Sequence, residues 1–115
     1  SAEKLQKKAA KVGFDWQSAA PVWEKLDEEL QELREAVQEN DAAHISEELG
    51  DVLFTVVNLA RFLRTDPELS LMHTNCKFMH RFTHVEERVK ASGREWESFS
   101  LEELDALWNE AKGEK

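Results

Sequence analysis

The run from Glu47 to Leu63, EELGDVLFTVVNLARFL, is apolar almost all the way round a helix, yet it opens with the carboxylates Glu47, Glu48 and Asp51. At about 100° per residue, Leu49, Val52, Leu53, Val56, Ala60 and Leu63 form one broad apolar face, which Val57 and Leu59 widen on either side. Such a helix is covered by more than one neighbour, so the chain around it is expected to be a helical assembly. One narrow polar strip remains, made of Glu48, Asp51, Thr55 and Asn58, and Glu48 and Asp51 at i, i+3 emerge from adjacent turns. Acids at the rim of a core are costly when unpaired. A basic partner or a metal cation is expected to face them, and a divalent metal is the working reading.

A chain of 115 residues is expected to form one domain, 1–115, with a single core. Only four Gly and two Pro interrupt it, which favours an all-α fold. A formal charge of −9 argues against nucleic acid or an anionic membrane as partner, because phosphate surfaces repel it. A local anion site stays compatible with that charge. Cys76 is the sole cysteine and cannot close an intrachain disulfide, and no leader or long apolar span is visible. The expected location is cytoplasmic, and the start at Ser1 is compatible with a domain taken from a longer protein.

In chain order, Leu5, Ala9 and Val12 mark a short basic helix from Ala2 to Val12, stopped by Gly13. Ser18 as N-cap and Pro21 in the first turn open a second helix that runs to about Glu39. Its apolar stripe is Val22, Leu26, Leu30, Leu33 and Val37, with Lys25, Glu29, Glu32 and Ala36 on one flank and Glu28 further toward solvent. Asn40 and Asp41 make a turn and a cap, and the third helix continues through Arg64. Asp66 and Pro67 start a fourth helix, Glu68 to about Ala91, expected to bury Leu71, Phe78, Phe82, Val85 and Val89. After a loop holding Trp96 and Phe99, Ser100 and Glu103 form a capping box for a last helix to about Lys112. The result is an antiparallel bundle of about five helices without strands.

The short turn at Asn40 and Asp41 makes the second and third helices antiparallel neighbours, so Glu29-x-x-Glu32 and Glu48-x-x-Asp51 meet across their seam. Oxygen-only donors favour magnesium, with manganese as substitute, and magnesium commonly takes phosphate oxygens as well. A solvated acidic face is the competing explanation, and it stays open at this point. On the fourth helix Lys77 and Arg81 at i, i+4 share a flank, a clamp suited to phosphate or an ordinary basic face.

The run Glu28-Glu29-Leu-Gln-Glu32-Leu, then Ser46-Glu-Glu48-Leu-Gly-Asp51-Val-Leu-Phe, then Val57-Asn58-Leu-Ala-Arg61, then Thr74-Asn75-Cys-Lys77-Phe78-x-x-Arg81-Phe82 resembles the MazG family of nucleoside triphosphate pyrophosphohydrolases. Val12-Gly13-Phe14-Asp15-Trp16 looks like the start of the second, catalytic copy in its two-domain members. The resemblance implies an all-helical homodimer that hydrolyses nucleoside triphosphates to monophosphate and pyrophosphate with magnesium. It implies that Glu29, Glu32, Glu48 and Asp51 bind the metal, Lys77 and Arg81 the triphosphate, and that Trp108 lies near the nucleotide. Lys25 and Glu28 stand where supporting roles fit, and Glu28 or Glu29 would take the proton of the attacking water. Cys76 and His80 depart from the acid and arginine more usual at their places but leave the Lys77 to Arg81 spacing intact.

Other features carry less. His80 and His84 at i, i+4 have zinc-ligand spacing, but an incidental surface stripe explains them better; no E-x-x-H is present for a di-iron bundle. Cys76 is read as a packing or surface thiol, and the tryptophans mostly as core, with Trp16 and Trp108 the two considered for stacking on a base. The alternatives are an all-α pyrophosphatase specialised for dCTP, dUTP or phosphoribosyl-ATP, and a non-catalytic helical dimerisation module.

Overall fold

The computed structural model describes residues 1–113. Among them are five α-helices and no strand: α1 Ala2–Lys11, α2 Ala19–Glu39, α3 Ala42–Phe62, α4 Pro67–Ser92 and α5 Leu101–Lys112. Where a loop was expected, Trp96–Ser98 forms a 3-10 turn. No helix among the described residues is long and apolar enough to cross a membrane. The chain divides into two compact units, Ser1–Pro67 and a second that begins at Glu68.

In the first unit, helix ends follow from local backbone chemistry. Gly13 adopts φ 87°, which lets the Phe14 N–H reach back to the Ala9 carbonyl at 3.0 Å and closes α1. Asn40 at φ 56° turns the chain out of α2, and the Asp41 carboxylate accepts from the backbone N–H groups of Ala43 and His44 to start α3. That two-residue link folds α2 and α3 into an antiparallel hairpin, against which α1 packs through α3. The third helix ends at Phe62 rather than Arg64: Arg64 takes φ 56°, and the Thr65 N–H closes on the Ala60 carbonyl at 2.9 Å.

The packing of this hairpin corrects the expected stripes. On α2 the fully buried residues are Val22 and Ala36, with Glu29 between them, whereas Val37 is exposed and Leu26, Leu30 and Leu33 are half-buried. On α3 the buried set is Glu48, Val52, Thr55, Asn58 and Leu59, while Leu49, Leu53, Val56 and Leu63 are exposed. The flanks carrying the acids form the seam, and Leu49, Leu53, Val56 and Leu63 of the broad apolar face of α3 stay exposed while Val52 of that face is buried. Two helices in close contact along a seam need small or shapely residues there, which Ala36, Val22 and Val52 supply and a row of leucines does not.

In the second unit, α4 buries Val85 and Val89, but Leu71, Phe78 and Phe82 are exposed, contrary to expectation. Within this unit only the 3-10 turn and α5 are available to cover α4. They reach it by ring contacts, Phe82 with Trp96 and Phe78 with Trp108. Arg94 ties the turn to α5, donating to the Ser98 carbonyl at 2.7 Å and the Glu103 carboxylate at 2.8 Å while its guanidinium lies 4.0 Å over the Phe99 ring. The expected Ser100 and Glu103 capping box is present. Trp16, Trp23 and Trp96 are exposed rather than core.

Candidate functional site

Glu29 and Glu48 are 5% and 8% exposed in the α2–α3 seam. Together with the exposed Asp51 they offer three carboxylate oxygens that all lie within 4.8 Å of one another. Each buried acid is held on one side by a basic side chain four residues earlier on its own helix. Lys25 Nζ stands 3.0 Å from Glu29 Oε1, and His44 Nε2 stands 3.3 Å from Glu48 Oε1. The other oxygens, Glu29 Oε2 and Glu48 Oε2, are sealed from solvent with no hydrogen-bond partner. A buried carboxylate oxygen left without a donor costs several kcal/mol.

These acids crowd one another. The Glu32 carboxyl is raised above its usual range, first by the charge of Glu29, then by desolvation, and then by a hydrogen bond with Glu48 and the charge of Glu48. Lys25 is raised by its hydrogen bond to Glu29. His44 is raised by its hydrogen bond to Glu39, whose Oε2 is 3.0 Å from Nδ1, so both ring nitrogens face carboxylates. A hard divalent cation fits this donor set: three converging carboxylates, two of which carry an orphaned buried oxygen, and no sulfur or imidazole among them.

Of the residues expected from sequence, Glu29, Glu48 and Asp51 are brought together, and Glu32 stands within electrostatic reach of Glu29 and Glu48 but outside the converging trio. Glu28 is exposed, with an oxygen 4.0 Å from Lys25 Nζ. In the second unit Lys77 is exposed, and Arg81 is half-buried with its guanidinium 5.8 Å from the centroid of the half-buried Trp108 ring. His84 pairs with Glu110, which Arg88 also bonds, and His80 is exposed. Cys76 is a free, exposed thiol.

Beside the acids lies a cavity of about 620 Å³, within the range that holds a small ligand. Glu29, Asp51 and Lys25 line one part of it, and Leu5, Phe14, Trp16 and Phe54 contribute apolar wall. Its polar wall is a network around Arg61. The guanidinium donates from Nε to Gln6 Oε1 at 3.1 Å, from both terminal nitrogens to Asp15 at 3.3 and 2.8 Å, and from one of them to Asn58 Oδ1 at 2.8 Å. The hydrogen bond from Arg61 holds the Asp15 carboxyl below its usual range. Gln6 and His44 were not singled out from sequence, and Asp15 and Arg61 stood in motif runs without a site role. His44 four residues before Glu48 carried a readable signal, whereas Gln6 and Asp15 join Arg61 only through the fold.

Residues 17–90 match the MazG nucleotide pyrophosphohydrolase domain. The chain is 45% identical over 112 residues to the nucleoside triphosphate pyrophosphohydrolase/pyrophosphatase MazG of Thermotoga maritima, covering 97% of this chain and 43% of that protein. It is 44% identical over 115 residues to the nucleoside triphosphate pyrophosphohydrolase of Escherichia coli (strain K12), covering 96% of this chain and 43% of that protein. The chain thus spans less than half the length of these relatives. The domain match runs from the end of the α1–α2 loop into α4 and includes every acid of the converging trio, and the chain belongs to the MazG nucleotide pyrophosphohydrolase domain family.

Proposed function

We propose that this chain hydrolyses nucleoside or deoxynucleoside triphosphates to the monophosphate and pyrophosphate, with magnesium held by Glu29, Glu48 and Asp51 and with Glu32 beside them. The observation that carries the reading is the convergence of the Glu29, Glu48 and Asp51 carboxylates, with one oxygen each of Glu29 and Glu48 buried and unpartnered. Magnesium, or manganese in its place, supplies Lewis-acid chemistry at the triphosphate when bound. Lys25 and His44 each hold one oxygen of a buried acid and so orient the other. Glu28 or Glu29 takes the proton of the water that attacks the α-phosphorus. The adjoining cavity, with Phe14, Trp16 and Phe54 in its wall, accepts the nucleoside, and aromatic faces tolerate every base. Lys77 and Arg81 bind the triphosphate and Trp108 lies near the nucleotide, roles the family resemblance implies. A homodimer in the cytoplasm completes the proposal, supported by the exposed apolar face of Leu49, Leu53, Val56 and Leu63; a monomer by sedimentation would reject that part.

The test is product analysis with a panel of ribo- and deoxyribonucleoside triphosphates, with and without magnesium. Magnesium-dependent monophosphate and pyrophosphate is the expected result. Release of orthophosphate alone, or of nothing from a folded chain, rejects the reading.

A further inference from the structure

We propose that Asn58 reads a neutral oxygen acceptor of the bound nucleoside through its side-chain Nδ2, and that Arg61 is the positioning residue that sets this donor's direction. The inference rests on the nucleotide reading above. Asn58 is 9% exposed and lines the cavity that Glu29 and Asp51 also line. A guanidinium only donates, so the Asn58 atom 2.8 Å from Arg61 is the amide oxygen, and the amide nitrogen occupies the opposite position. No protein acceptor bonds that nitrogen among the described residues. It is also absent from the sealed, unpartnered atoms, which are the Glu29 and Glu48 oxygens, so it is accessible on a residue that lines the cavity.

The rest of this polar wall is already committed. Gln6 spends its nitrogen on the Phe54 carbonyl at 2.8 Å and its oxygen on Arg61; both Asp15 oxygens accept from Arg61; and the Thr55 hydroxyl donates to the Asp51 carbonyl at 2.8 Å. Arg61 therefore occupies the side-chain acceptors around it and leaves the Asn58 amide as a donor for the ligand. A nucleoside offers two sources of a matching acceptor, a base carbonyl and a sugar oxygen. A donor held this rigidly rejects a group that cannot accept, because the buried amide is then left unpaired.

Steady-state kinetics with magnesium on ATP, dATP, UTP and dUTP tests this with Asn58→Asp, Arg61→Lys and the double variant. Asn58→Asp is isosteric and keeps an oxygen for Arg61 while presenting the cavity with an acceptor instead of a donor. It should raise KM by about 10- to 100-fold with kcat within about 3-fold. The magnesium-induced rise in melting temperature should be that of the wild type, which establishes an intact fold and acid site. Arg61→Lys should raise KM for the same nucleotides, and the double variant should be far from additive, because both changes act through one amide. A loss common to all four nucleotides assigns a sugar oxygen they share, a loss on ATP and UTP alone the 2′-hydroxyl, and a loss on the uridine nucleotides alone a base carbonyl. Wild-type KM in folded Asn58→Asp, or a loss confined to kcat, overturns the inference while leaving the nucleotide reading standing. No pyrophosphate from the wild type on any nucleotide overturns both.

Discussion

Glu29 and Glu48 face the same seam with the same asymmetry: one oxygen of each is held by a basic side chain four residues earlier, and the other is buried without a donor. Like charges so placed oppose folding until something positive joins them. Replacing one should relax the empty site and remove the ion. Glu48→Gln is expected to raise the melting temperature in chelator by a few degrees, on the order of 1 kcal/mol for a domain this size. Added magnesium, which stabilises the wild type by binding the native state, should leave this variant unmoved. Calorimetry with and without the ion checks both halves, and turnover of the variant should be nearly lost with helicity unchanged.

The link between Arg94 and Glu103 makes a separate, pH-dependent prediction. Arg94, with help from the Ser100 N–H, lowers the Glu103 pKa from 4.5 to about 2. A depressed carboxylate contributes stability above its unfolded pKa and loses it as pH falls through the folded one. Glu103→Gln should therefore melt below the wild type at pH 7, and the gap should close between about pH 5 and pH 2. Melting curves across that range would show it. A gap that stays constant would mean that Glu103 acts as a cap and not through its charge.

Two N-caps that look alike in sequence differ in structure. Asp41 accepts from Ala43 and His44, whereas Ser18 makes no side-chain capping bond. Asp41→Ala should cost about 1 kcal/mol and Ser18→Ala less than about 0.5. Chemical denaturation of the two variants in parallel distinguishes them.

Core and surface apolar residues should separate as cleanly. Val22 is 0% exposed and Leu53 is 59% exposed. Val22→Ala should cost about 2 kcal/mol, the transfer of its methyl groups plus the cavity left behind. Leu53→Ala should cost less than about 0.5 kcal/mol in a single protomer. If Leu53 lies in a homodimer interface, its substitution instead weakens association, and melting curves at several protein concentrations will detect that.

Much of this architecture is local and was legible in the residues. Periodicity, the Asp41 and Ser100 caps, Gly13, and the Asn40-Asp41 turn specify five helices and one tight hairpin, because each acts within a turn or two of chain. The spacing of Glu29, Glu48 and Asp51 likewise placed them on the flanks of neighbouring helices. Which flank became the seam was decided by tertiary packing. An amphipathic pattern says that a helix has two faces but not which neighbour takes which, and here close approach selected Val22, Ala36 and Val52 over the leucine face. That choice buried Glu29, Glu48 and Asn58 and left Leu53 exposed. The Arg61 network was equally beyond the pattern, since Arg61 meets Gln6 and Asp15 across 55 and 46 residues of chain. Contacts at that separation exist only once α1 and the α1–α2 loop have docked against α3, so helix periodicity carries no trace of them.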